Sequence, residues 1–258
     1  MPSRWAVTVA GVDATKVKLD HVHAVVSGWF DDGEEGHRAK AKPYTVQQLQ
    51  AVDGGTLLEI GLLVDELGDR LASAAAPGSQ IRLGSTWTRI THPPEPVAMA
   101  TWQELTDAGR ATSWCLRFLT PTTFRRGNSF TPAPTLSAIL GSLRASWREF
   151  APPTVPPLVL DLAREPVWVT DIDVTSQVVS VKGLTVSGFT GRLRFVCDGV
   201  AEQASMIDRL VRLAPYAGVG AYTTRGFGVT RPEPTWPQAV PRRVTGSVQH
   251  RPLELVSG

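Results

Sequence analysis

The chain has 258 residues, enough for one large domain or two ordinary ones around a substantial core. Hydrophobic residues make up 42% and charged residues 19%, the balance of a globular protein in water, and no apolar run approaches the roughly 18 to 20 residues of a membrane span. A net charge of +2 with a sequence pI near 8.7 permits a nucleic-acid partner without requiring one, and clustered arginines leave room for a local basic surface.

The opening segment MPSRWAVTVAGV lacks the apolar stretch and cleavage site of a secretory signal, so a reducing, cytoplasmic compartment is expected. Cys115 and Cys197 each sit among apolar and aromatic neighbours, as buried strand cysteines do, rather than as metal ligands or a disulfide.

Residues 4–10 alternate as a half-buried strand, and Leu19, Val22, Val26 and Trp29 then recur at helical spacing. An acidic, glycine-containing loop leads to a strand pair, KPYTVQQLQ and TLLEIGLLV, and DELGDRLASAAA is a helix ended by Pro77 and Gly78. SQIRLGSTWTRI, residues 79–90, is expected as the closing strand. Residues 1–105 thus read β-α-β-β-α-β, a ferredoxin-like unit with helices on one face of an antiparallel sheet and the other face open.

The order then repeats. TSWCLRFLTPTTF is a strand, and TLSAILGSLRASWREF is a helix with Leu136, Leu140, Leu143 and Trp147 on one stripe. After the proline-rich APPTVPPL come two strand runs joined near Gly183, a helix from Ala201, and a closing strand expected to contain GVGAYTTRGFG and to run to Val229. The expected fold class is therefore α+β with two tandem ferredoxin-like (RRM-like) domains, 1–105 and 106–235, followed by an irregular tail, 236–258. No RNP-type aromatic pair marks either sheet for ordinary base stacking.

The glycine segment is neither a Walker loop, since no Gly-Lys-Ser/Thr follows, nor a dinucleotide fingerprint, since it follows a helix and enters a strand. Glycines offer positive φ and close approach of backbone amides to a phosphate, and Thr223, Thr224 and Arg225 add hydroxyls and a cation. YAGVGAYTTRGFGVTR resembles the C-terminal glycine-rich signature of the RAMP superfamily of CRISPR-associated proteins, and more narrowly of its repeat-RNA-processing endoribonucleases. LRFLTPTTFRRG, SGFTGRLRF and HRAKAKPYTVQQL fit the same family in the same order, so the resemblance covers nearly all of residues 1–231.

The resemblance implies a protein that binds precursor CRISPR RNA, cuts it within each repeat and stays with the crRNA product, with other effector-complex subunits as further partners. It implies no cofactor, no metal and no membrane. The alternative within the superfamily is a non-catalytic subunit that only holds guide RNA. The implied cut is attack by the ribose 2′-hydroxyl on the adjacent phosphate, which needs a proton acceptor, a proton donor and a charge stabiliser. Histidine suits the first two tasks and lysine the third.

His37, just upstream of the Lys-x-aromatic-Thr strand start at Lys42, Tyr44 and Thr45, is the candidate general acid or base, and Lys42 the phosphate stabiliser. His23 and His21 on the first helix are the rival candidates to His37, with His23 read also as bordering the core and His21 as a surface residue, and His92 and His250 are expected in loops. Candidate RNA contacts are Arg38 and Lys40 beside the catalytic loop, Arg125 and Arg126 at a strand end, Arg144 and Arg148 at i, i+4, and Arg192 and Arg194 on one side of a strand. Gly218, Gly220, Thr223, Thr224, Arg225, Gly226 and Gly228 complete the set, with the expectation that replacing Gly220 or Gly226 by alanine spares the fold.

Overall fold

The computed structural model describes residues 1–107, 109, 111–161, 166–181 and 183–234; the expected tail 236–258 and the side chains of His37 and Gln48 lie outside the described part. Strand β1 (Ser3–Ala10) buries Val7 and Val9, and helix α1 (Leu19–Phe30) covers them with Val22, Val26 and Phe30. The short helix α2 (Gly33–Arg38) leads into a hairpin of β2 (Tyr44–Val52) and β3 (Gly55–Leu62). Its two-residue turn is Asp53-Gly54, with Gly54 at φ +82°, the left-handed conformation such turns require. Helix α3 (Glu66–Ala74) adds Leu67 and Leu71 to the same core.

Residues 79–90 do not form the fourth strand of this sheet. They fold back on themselves as β4 (Gln80–Leu83) and β5 (Thr86–Arg89), because Gly84 turns the chain at φ +68°. The sheet is closed instead by β6 (Glu95–Met99), whose Pro96 lacks an amide donor and suits an edge. The strand order β2-β3-β1-β6 is antiparallel throughout, the ferredoxin-like arrangement.

Helix α4 (Trp102–Thr106), opened by a capping box between Thr101 and Glu104, carries the chain to a second sheet. There β7 (Ser113–Thr122), the small hairpin β8 (Phe124–Arg126) and β9 (Ser129–Thr131), α5 (Leu136–Phe150), β10 (Val167–Val181), β11 (Leu184–Cys197), α6 (Ala201–Ala217) and β12 (Thr230–Glu233) follow in order. The order β10-β11-β7-β12 repeats the first sheet's permutation. Trp114, Leu116, Phe118, Leu193 and Phe195 face α5 and α6, and both cysteines are free and buried in these strands. Gly183 turns the β10–β11 hairpin at φ +74°.

Two further expectations are corrected. The glycine segment is not strand: Tyr222 and Gly218, Gly220, Gly226 and Gly228 all have positive φ, so residues 218–228 wind around a 3₁₀ turn at Thr223–Arg225 and β12 begins only at Thr230. Nor is the second face of the first sheet open. Alternation along β2 and β3 points Thr45, Gln47, Glu59 and Gly61 away from the core, and the end of α6 docks on them. Thr45 Oγ1 donates to the Tyr216 carbonyl at 3.1 Å, and a Cβ on Gly61 would come within 2.3 Å of that same oxygen.

A charged clamp completes this contact. Glu59 Oε1 accepts from Arg4 at 2.9 Å and from Arg231 at 2.8 Å, while Arg231 also donates to Gln47 Oε1 at 2.9 Å. Burial, with Arg4 alongside, pushes the Arg231 guanidinium down to about 10, so it remains a cation at neutral pH and depends on Glu59 for compensation. Among the described residues no helix is long and apolar enough to cross a membrane.

Candidate functional site

The docking of the two sheets leaves a cleft of about 630 Å³. One wall is His23 of α1 and the loop after α2, with Lys40 and Lys42; the other is Arg125, Phe130, Ser142 and Arg148 from β8, β9 and α5. The glycine segment, from Gly220 to Arg225, forms the floor between them. Sequence-distant cations therefore line one groove.

His23 Nδ1 lies 2.9 Å from the Thr224 carbonyl oxygen. A carbonyl only accepts, so Nδ1 carries the proton and the ring is held in one tautomer. The Arg225 guanidinium crosses the same boundary to Asp20 Oδ1 at 2.5 Å. Two turns of the sequence separated by some two hundred positions are thus joined at the base of the cleft.

Lys42 is nearly buried, and its ammonium meets Asp31 Oδ1 at 2.8 Å and donates to the Gly36 carbonyl. Tyr44 adds its hydroxyl to the same carboxylate oxygen at 3.0 Å. Burial first, and the adjacent Asp31 charge second, hold the Tyr44 phenol far above its usual range. Asp31 is the C-terminal cap of α1, so the end of this helix fixes the lysine at the cleft wall. His37 stands in the last turn of α2, one residue beyond the carbonyl that Lys42 grips; its side chain is outside the described part.

The expected RNA contacts divide. Lys40, Arg125 and Arg148 line the cleft, as do Gly220, Thr223, Thr224 and Arg225. Arg225, however, is buried to 8% exposure and ion-paired, which makes it a tie between domains rather than a surface cation. Arg38 pairs with Glu34 along α2, and Arg144 donates to the Leu160 carbonyl in a neighbouring cavity that Arg148 also borders. Arg192 and Arg194 do share one side of β11, but they face Asp173 and Asp171 across the hairpin, at 3.2 and 3.6 Å, and do not line the cleft. Arg126 is exposed on the β8–β9 hairpin.

The glycines serve packing directly. The amides of Gly218, Gly220, Gly226 and Gly228 donate to Ala214 O, Ser142 Oγ, Thr223 O and Pro121 O, all within the fold. A Cβ would lie 2.4 Å from Thr123 O at Gly220, 2.9 Å from Leu19 Cδ2 at Gly226 and 1.9 Å from Val219 O at Gly228. Alanine at Gly220 therefore strains the fold, against expectation, because the left-handed backbone and the close carbonyl both penalise a side chain.

Phe130 and Ser142 were not expected in the site, and His23, a rival candidate to His37, reads first as a residue bordering the core. The i, i+3, i+7 spacing of His23 with Val26 and Phe30 reads as core boundary, and its partner Thr224 is 201 positions away, so no local pattern reveals it. Tyr222, whose ring stacks on Phe130 at 5.1 Å, adds an aromatic surface beside Ser142 and is the one non-glycine residue with positive φ among those described.

Residues 116–230 match the family model of the CRISPR-associated endoribonuclease Cas6. No curated protein matches the sequence significantly. Among solved structures, a Cas6 product complex is 23% identical with a TM-score of 0.77, and a second Cas6 product complex is 26% identical with a TM-score of 0.75; each match covers 90% of this chain and 99% of the other. Cas6 from Thermus thermophilus is 24% identical with a TM-score of 0.68, covering 90% of this chain and 98% of its own. The family match over residues 116–230, and the tandem fold shared along nine-tenths of the sequence, show that this chain is similar to the CRISPR-associated Cas6 endoribonucleases.

Proposed function

We propose that the chain binds the precursor CRISPR transcript in the inter-sheet cleft and cuts it within each repeat without a metal ion, in the cytoplasm of a prokaryote. The observation that carries this reading is the convergence of Lys40, Lys42, Arg125 and Arg148 on one groove beside the helix that bears His37. Similar Cas6 structures include product complexes and a substrate mimic complex, which supports a reading in which this chain also binds a substrate.

In the proposed reaction the ribose 2′-hydroxyl attacks the adjacent phosphorus. His37 accepts the 2′-hydroxyl proton or donates one to the departing 5′-oxygen, and the products are a 2′,3′-cyclic phosphate and a 5′-hydroxyl. Lys42 stabilises the charge that builds on the non-bridging oxygens. Its ammonium is paired with Asp31, so phosphate competes with that carboxylate for the same cation. His23, locked to Thr224, positions the glycine segment under the scissile region.

Incubation of a single repeat RNA with the protein in EDTA tests this. The native chain should cut and leave a cyclic phosphate, and His37→Ala should lower the rate by about 10²-fold or more. Cleavage unchanged in His37→Ala refutes the assignment of that residue. The compensation of Lys42 by Asp31 favours one second reading, a subunit that holds guide RNA without cutting it, and tight binding with no cut by the native chain would establish that reading instead.

A further inference from the structure

On the far side of α1 from the cleft, the β4–β5 hairpin stands outside the four-stranded sheet. Its register pairs Arg82 with Trp87 and Gln80 with Arg89. Ile81 and Leu83 are buried, so these four residues share the outward face. Trp87 is 66% exposed, an unusual position for an indole that could have been buried in the adjacent core. Arg82 is held by Nε to the Gly84 carbonyl at 2.8 Å, and Arg89 has no hydrogen-bond or ion-pair partner among the described residues. Residues 79–94 contain both arginines and no carboxylate. An exposed aromatic face between two uncompensated cations is complementary to a nucleotide, whose base stacks and whose phosphate is anionic.

The placement connects this face with the cleft. The Gly84 turn packs on the ring of His21, so close that a Cβ there would lie 2.5 Å from it. His21 and His23 are two positions apart on α1, about 200° around a helix, so the hairpin and the cleft flank opposite sides of the same turn. The exposed Lys18 sits at the start of that helix, between them.

We propose that the outward face of the β4–β5 hairpin binds single-stranded RNA flanking the repeat, a base stacking on Trp87 while Arg82 and Arg89 contact the backbone. The inference rests on the RNA reading above and extends the bound segment beyond the cleft. It gives the hairpin, an addition to the ferredoxin-like pattern, a role in recruiting the long transcript.

The test compares affinity for two RNAs, a repeat with single-stranded extensions at both ends and the same repeat trimmed of them. Trp87→Ala should bind the extended RNA about 5- to 100-fold more weakly and the trimmed RNA as the native chain does. Trp87→Phe, which keeps an aromatic face, should retain most of the affinity. Arg82→Ala with Arg89→Ala should make the salt dependence for the extended RNA shallower, by about 1.4 in the log–log slope. Native-like binding of extended RNA by Trp87→Ala overturns the proposal and leaves the nuclease reading standing, and so does equal weakening for both RNAs. Failure of the native chain to bind either RNA overturns both.

Discussion

Replacing Glu59 by Gln keeps the shape of the buried clamp between the sheets and removes its charge. Two guanidiniums at 2.8 and 2.9 Å from one carboxylate oxygen would then face each other across an amide oxygen that can still accept from both but no longer carries the charge that balances them. Each ion pair is worth about 4 kcal/mol at 4 Å in an effective dielectric of about 20, and breaking a buried pair from one side costs about 3–5 kcal/mol. Both arginines keep about a fifth of their side chains in water, which lets solvent relax around them, so the lower end, about 3 kcal/mol, is expected. At about 2–4 °C per kcal/mol for a chain of this size, Tm should fall by about 6–12 °C in calorimetry. The proposed repeat cleavage should fall with it, since Arg231 follows the glycine segment that floors the cleft. Adding Arg231→Ala should cost less than the sum of the separate changes, because it removes the cation left uncompensated. A Tm within about 2 °C of the native chain, or strictly additive changes, would refute the view that Glu59 holds the sheets together.

Gly228→Ala should unfold or prevent accumulation of the protein, since φ is +67° and the new Cβ would lie 1.9 Å from Val219 O; normal yield and Tm in the variant would contradict the packing role of the segment. In a spectrophotometric titration the phenols of Tyr44 and Tyr216 should ionise later than free tyrosine, burial being the first cause at both. Because these folded-state values lie above the unfolded one, their contribution to stability is complete below pH of about 10 and is lost as pH rises beyond it, and Tyr44→Phe should flatten that alkaline loss. Thr101→Ala should remove the side-chain cap on the Glu104 amide and lower stability by about 1 kcal/mol in urea unfolding, with an unchanged m-value.

Strand and helix periodicity determined most of the architecture. Val22, Val26 and Phe30 or Leu140, Leu143 and Trp147 repeat at a spacing only one side of a helix can satisfy, and the strand runs between them fix the doubled β-α-β-β-α-β order. The same local rules misread residues 79–90, where a single glycine converts one strand into a hairpin, and residues 218–228, where positive φ overrides the β-forming neighbours. The approach of Lys40 and Lys42 to Arg125 and Arg148, the burial of Arg225 against Asp20, and the fixing of His23 by Thr224 were decided by tertiary structure alone. Periodicity reports which side of an element faces its own core, whereas these contacts arise where one folded unit docks on the reverse face of another. The polar residues that make that docking, Thr45, Gln47 and Glu59, look in the sequence like any solvent-facing strand positions, and only the buried partners supplied by α6 and Arg231 show otherwise.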